Sequence, residues 1–210
     1  MFDELNEYML SHSVPQSELL ARLEREAHVR LLHPRMISGH LQGRLLSAFA
    51  HMLHPRRILE LGTYVGYSAI CLAEGLPPDG RLVTIDIDDE IEDMARRYIG
   101  ACPQATQIDF RIGDALEIIP QLDEVFDLVF IDADKRDYAA YYNAVFDKVR
   151  IGGYILADNT LWDGKVVRPV ASGDHQTQGL LRFNDQLAAD PRVEAFILPI
   201  RDGMTIIRKK

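Results

Sequence analysis

Two short stretches hold residues able to do chemistry together. "FDLVFIDADK" (126–135) begins as an apolar run and stops on Asp132, Asp134 and Lys135, and "GGYILADN" (152–159) stops on Asp158 and Asn159. Carboxylate and amide oxygens are hard ligands, suited to Mg²⁺, Ca²⁺ or Mn²⁺ rather than to zinc. A divalent cation held by such oxygens can stabilise negative charge on a substrate oxygen and fix its direction of attack. The plainer reading is that polar residues simply mark strand ends, since Asp and Asn favour turns. The choice depends on whether the chain brings the two stretches together.

The surrounding pattern argues that it does. The spacing predicts a helix from Ser17 to Leu32, with Ser17 as N-cap and Pro34 as a stop, and a second over 38–53. Short apolar strands then alternate with helical stretches: 56–62, 81–87, 108–114, 126–132 and 152–158. Such alternation means βαβ units and a parallel sheet. The last two strands, 193–200 and 204–209, are separated only by Arg201-Asp202-Gly203, which permits a hairpin but no parallel crossover. The expectation is one α/β domain over 1–210, with a helical cap over 1–54 and a core over 55–210. Its sheet has seven strands and is mixed, five parallel and a C-terminal antiparallel pair. Ligands bind beyond the carboxyl ends of strands in such sheets. Here those ends carry Glu60, Asp86, Asp114, Asp132 and Asp158, acids along a single rim.

The first strand–helix turn, "LELGTYVGYS" (59–68), narrows the ligand. A dinucleotide fingerprint needs G-x-G-x-x-G; here Tyr64 and Tyr67 stand where the second and third glycines would be. A tyrosine at the middle position obstructs close approach to a pyrophosphate. The turn therefore suits a nucleoside without that group and disfavours a nicotinamide dehydrogenase. Asp86, closing the second strand, is positioned to accept ribose hydroxyls.

The motifs "ILELGTYVGYSA", "VTIDID", "FIDADK" and "ADNTLWDGKVV", in this order, resemble the cation-dependent S-adenosylmethionine O-methyltransferases. That family includes caffeoyl-CoA and catechol O-methyltransferases and many bacterial relatives. The likeness runs from about residue 17 to the C-terminus. It implies a Rossmann-like class I methyltransferase fold, S-adenosylmethionine and a divalent cation (Mg²⁺, or Ca²⁺ or Mn²⁺) as cofactors, and a homodimer. By residue-by-residue matching it implies metal ligation by Asp132, Asp158 and Asn159, and a general base at Lys135. Cofactor contacts fall on Ser38, Glu60, Gly62, Thr63, Tyr64, Ser68, Asp86, Asp114, Ala115, Asp132 and Asp134. Substrate contacts fall on Trp162, which could stack on an aromatic acceptor or pack against its own loop, and on Asp163. Asp163 stands where plant caffeoyl-CoA enzymes carry a substrate-contacting Asn, a departure that argues against caffeoyl-CoA itself.

The bulk properties fit an enzyme of small molecules. The 210 residues carry a formal net charge of −9, with 47% hydrophobic and 26% charged residues. An acidic chain lacks the basic footprint of a nucleic-acid binder. Some bacterial relatives nevertheless methylate hydroxyuridine in tRNA, and Arg22, Arg25, Arg30 and Arg35 could make a local basic face. Cys71 and Cys102 form neither a metal spacing nor a disulfide framework, which points to a reducing cytosol. The acidic N-terminus is unlike a signal peptide, and no apolar run approaches a membrane span. The remaining rival is a non-catalytic cofactor-binding scaffold. The expected acceptor is a hydroxylated, catechol-like small molecule.

Overall fold

The computed structural model describes residues 2–210, and side chains from residue 4 onward. Three helices precede the sheet: α1 (Phe2–Ser11), α2 (Glu18–Arg30) and α3 (Gly39–Leu53). The Ser17 hydroxyl caps α2 by accepting from the Leu20 amide at 3.3 Å. The helix buries Leu20, Leu23 and Ala27, the apolar stripe visible in the sequence. Helix α1 is an addition to the two expected helices.

The alternation follows as β1 (Arg57–Leu61), α4 (Tyr67–Ala73), β2 (Arg81–Asp86), α5 (Glu92–Gly100), β3 (Ile108–Ile112) and α6 (Ala115–Ile118). It continues with β4 (Phe126–Ile131), α7 (Tyr138–Phe146), β5 (Val149–Ala157), α8 (His175–Ala189), β6 (Val193–Leu198) and β7 (Met204–Lys209). The sheet order is β3-β2-β1-β4-β5-β7-β6. Strands β1 to β5 pair in parallel, and β7 runs antiparallel to both β5 and β6. The mixed seven-stranded sheet is thus as expected, with β7 as its reversed strand. Strand order changes direction between β1 and β4, and such switch points open a crevice at the carboxyl ends.

Both faces of the sheet are covered, so its central strands are apolar on both sides. Ile58, Leu128 and Phe130 face one layer with Leu20, Leu46 and Leu72. Leu59, Leu61, Val129 and Ile131 face the other, with Tyr138, Tyr142 and Phe183.

Helix α8 is absent from the sequence reading. Its buried Leu180, Phe183 and Leu187 recur at helical spacing, and the Asp174 carboxylate caps it through the Thr177 amide at 3.1 Å. The polar residues between them, Arg182, Asn184, Asp185 and Gln186, dilute the stripe. The helix crosses the turn 135–137 so closely that a Cβ at Gly179 would lie 2.3 Å from the Lys135 carbonyl oxygen and 2.7 Å from Arg136 Cα. Only glycine fits that crossing. Gly179→Ala should therefore lower stability in urea unfolding by about 2 kcal/mol, the range of core overpacking. An unchanged midpoint would show that α8 does not set the position of this turn.

Candidate functional site

A cavity of about 990 Å³ opens at the carboxyl ends of the parallel strands. Gly62, Thr63, Tyr64, Ser68, Asp86, Asp114, Ala115, Asp132, Asp134, Lys135, Asp158, Asn159, Trp162 and Ser38 all line it. Glu60 and Asp163 do not.

One half is built around the turn after β1. Gly62 has φ 95°, and a Cβ there would lie 2.1 Å from the Asp132 carbonyl oxygen. The turn after β1 and the end of β4 therefore touch backbone to backbone, possible only without a side chain. Tyr64, also left-handed at φ 47°, donates its amide to Asp86 Oδ2 at 2.6 Å. Asp86 Oδ1 accepts from the Asp88 amide at 3.0 Å, so this carboxylate organises two loops while lining the cavity. Burial raises its pKa, against the pull of these backbone bonds. Asp114 caps α6 by accepting from the Leu116 amide at 2.8 Å. Asp134 accepts from the Arg136 amide and pairs with its guanidinium, which holds the acid below the ordinary carboxylate range.

Glu60 departs from the rim. It is paired in register with Thr84 on β2 and is 0% exposed, on the covered sheet face that it shares with Ile58 rather than in the cavity lining. Thr84 Oγ1 donates to Glu60 Oε2 at 2.5 Å and lies 2.5 Å from Thr63 Oγ1. Glu60 thus supports the cavity wall from beneath, through Thr84 and Thr63. Burial drives its carboxyl up to about 8; the Ser68 and Thr84 hydroxyls oppose this, and the charges of Asp132 and Asp86 add to it.

The other half gathers the stretches 126–135 and 152–159. Ile131 and Ala157 are register partners on β4 and β5, so the residues that follow them, Asp132 and Asp158, leave neighbouring strands side by side. Asp158 is 3% exposed, and burial together with the negative charge of Asp132 raises its pKa. Asn159 follows in the left-handed region at φ 57°, its amide donating to Asp158 Oδ1 at 2.8 Å. The Tyr138 hydroxyl donates to the Asp158 carbonyl at 3.0 Å. Lys135 Nζ lies 2.7 Å from Asp132 Oδ1 and 3.0 Å from the Ala133 carbonyl oxygen.

Among the described residues no three or more His, Cys, Asp or Glu converge as a metal cage. The donor set is instead two carboxylates and the Asn159 amide. A buried acid, Asp158, and a half-buried one, Asp132, whose charges oppose one another and which draw on one ammonium, fit an added hard cation.

Two residues that the sequence does not mark as site residues, Gln42 and the hairpin-turn Arg201, complete this half. Gln42 of α3, 1% exposed, donates its Nε2 to Asp158 Oδ2 at 2.6 Å. Arg201 Nη1 donates to Gln42 Oε1 at 2.9 Å and to the Ser38 carbonyl oxygen. The guanidinium fixes which end of the glutamine amide faces Asp158. Only the buried polar position of Gln42 in an apolar helix could have signalled this from sequence. Trp162 lines the cavity and packs on the core layer beneath it, while Asp163 is exposed and its amide donates to Asp202 Oδ1 at 3.1 Å.

A sequence profile described as O-methyltransferase matches residues 10–210. The chain belongs to the O-methyltransferase family. It is 34% identical over 220 residues to caffeoyl-CoA O-methyltransferase 5 of Nicotiana tabacum, covering 99% of this chain and 91% of that protein. Caffeoyl-CoA O-methyltransferase 1 of Arabidopsis thaliana is 35% identical, with coverages of 99% and 85%. Among solved structures, an O-methyltransferase of Streptomyces achromogenes involved in tomaymycin synthesis, in complex with S-adenosylmethionine, superposes with a TM-score of 0.92. It is 33% identical, and the match covers 99% of this chain and 96% of that one. The Bacillus cereus O-methyltransferase also reaches 0.92, at 31% identity and coverages of 99% and 97%. These relatives span the sheet, both layers and the cavity rim, so this O-methyltransferase shares their whole architecture.

The buried Glu60 carries a pH signature. Its folded-state value of about 8 stands above the ordinary 4.5, so the native state holds a proton that the unfolded chain releases between them. Stability is then lost as pH rises through that window. Glu60→Gln removes this slope. Urea unfolding from pH 5 to pH 8 should show the variant gaining on the native chain by about 1.4 kcal/mol per pH unit at most. A difference independent of pH would contradict a protonated Glu60.

Proposed function

We propose that the protein transfers a methyl group from S-adenosylmethionine to one hydroxyl of a vicinal dihydroxy aromatic, in a reaction that needs a divalent cation. The observation that carries this reading is the side-by-side pair Asp132 and Asp158, with Asn159 next in the chain and Lys135 on the same carboxylate.

Asp132, Asp158 and Asn159 would hold the cation, with Mg²⁺ as the first choice and Ca²⁺ or Mn²⁺ as alternatives. When bound, the cation supplies Lewis-acid stabilisation of negative charge on an acceptor oxygen. S-adenosylmethionine supplies an electrophilic methyl group. The chain does the rest by position. Asp86 accepts from ribose hydroxyls at the far side of the cavity, while the glycine turn at 62 packs directly on the end of β4 and forms the wall against which the cofactor lies. Gln42 holds the Asp158 carboxylate from behind, so its orientation is set before any ligand enters. Lys135, within hydrogen-bond reach of Asp132, removes the proton of the reacting hydroxyl. A lysine can do so when a neighbouring cation disfavours its charged form. Trp162 offers an aromatic face to the acceptor ring.

The tRNA reading has less support. Arg30 is paired with Glu26 at 3.2 Å, and Arg97 also joins that acid, so the arginines of α2 present less free charge than their number suggests. The homodimer suggested by resemblance draws support from Leu5, Tyr8 and Met9, exposed on α1. No helix among the described residues is long and apolar enough to cross a membrane.

Methyl transfer from labelled S-adenosylmethionine to a catechol should require added Mg²⁺ and vanish with EDTA. Lys135→Met should lower kcat by about a hundredfold or more, the ordinary worth of a general base, and Asp158→Ala should remove the Mg²⁺ response. Turnover that survives both EDTA and Asp158→Ala would overturn the metal-dependent mechanism.

A further inference from the structure

Arg201 stands out among the cations of the cavity. Lys135 is committed to Asp132, and Arg136 to Asp134. Arg35 is exposed and has no hydrogen bond to fix it among the described residues. Arg201 lines the cavity, is exposed, and is fixed without being neutralised. All its hydrogen bonds run from Nη1 to neutral acceptors: the Ile37 carbonyl at 3.5 Å, the Ser38 carbonyl and Gln42 Oε1 at 2.9 Å. No carboxylate pairs with it among the described residues; neighbouring Asp202 accepts from the Asp163 amide instead. Its Nε and Nη2 edge, the fork that matches a carboxylate with two parallel hydrogen bonds, keeps its donors.

The backbone reinforces the point. Arg201 has φ 47° in the turn between β6 and β7, a conformation that costs a residue with a side chain about 1 kcal/mol or more. The turn thus holds the arginine at the cavity wall in spite of its backbone preference. The distance to the chemistry is short, because Gln42 alone separates the guanidinium from Asp158. Both bonds fall on the single Gln42 amide group, so the guanidinium and the Asp158 carboxylate stand within about 8 Å, the span of one aromatic ring with its substituents.

We propose that Arg201 is the anion-binding residue of the acceptor site, selecting single-ring vicinal diols that carry a carboxylate across the ring from the hydroxyls. The inference rests on the catechol reading above and adds the class of acceptor. A neutral acceptor in the same cavity would leave this fork to solvent. An extended thioester would have to pass Arg201 rather than end on it.

The test compares 3,4-dihydroxybenzoate with 3,4-dihydroxybenzamide, which have nearly the same shape and differ in charge. With Mg²⁺ and S-adenosylmethionine, kcat/KM for the carboxylate should exceed that for the amide by about tenfold or more, the worth of a charged hydrogen bond. Arg201→Gln should bring the ratio near one, chiefly by raising KM for the carboxylate, and Arg201→Lys should restore part of it. Any loss through Gln42 and Asp158 falls on both acceptors, so the ratio is free of it. Isothermal titration of both compounds into protein loaded with Mg²⁺ and S-adenosylhomocysteine should give the same preference without turnover. Equal use of both compounds by the native chain, or a preference that survives Arg201→Gln, would overturn the role of Arg201 and leave the catechol reading standing. Methylation of neither, with other catechols accepted, would also overturn it. Methylation of no catechol at all would overturn both.

Discussion

The site depends on two acids that leave adjacent strands at the same level. Strands β4 and β5 are paired through Ile131 and Ala157, so Asp132 and Asp158 emerge together whatever the loops beyond them do. The two carboxylates repel one another, and burial of Asp158 together with the charge of half-buried Asp132 raises the Asp158 pKa. Such a pair persists because the sheet beneath it is anchored by apolar burial on both faces, and because positive charge is supplied. In this structure part of that charge is the Lys135 ammonium. A cation in the same place would relieve the repulsion more fully and turn a local instability into a binding site.

The neighbouring elements hold this pair in position through contacts with little tolerance. The turn at Gly62 meets the Asp132 backbone where no side chain fits, and α8 meets the Lys135 turn at Gly179 in the same way. Gln42 and Arg201, from opposite ends of the chain, orient Asp158 from behind. Glu60, Thr84 and Thr63 brace the cofactor side. On the proposed function the acceptor hydroxyls and the methyl donor would occupy the two halves of one cavity, which is what an in-line transfer needs.

Much of this was legible in the sequence, for physical reasons. The strands were visible because buried parallel strands are nearly continuous apolar runs, and Asp132, Asp158 and Asn159 because they interrupt such runs at their carboxyl ends. Ser17 read correctly as a cap because capping is local. What was not legible depended on contacts far apart in the chain. Gln42 and Asp158 are 116 positions apart, and nothing local marks the glutamine as a partner of the acid. Arg201 looked like part of a hairpin turn. Helix α8 was hidden because its apolar stripe is narrow and mixed with polar residues. Glu60 matched a family position and carried an acid at a strand end, but strand alternation put it on the covered face of β1 with Ile58, beside Thr84, instead of on the rim.

The most direct test of the account is the electron paramagnetic resonance of Mn²⁺ bound to the full chain in the presence of S-adenosylhomocysteine. One Mn²⁺ per chain is expected, weakened by Asp158→Asn, with a spectrum that changes when a vicinal diol is added and stays unchanged with the matching monophenol. Failure of the chain to bind Mn²⁺ stoichiometrically, or a spectrum indifferent to the diol, would contradict it.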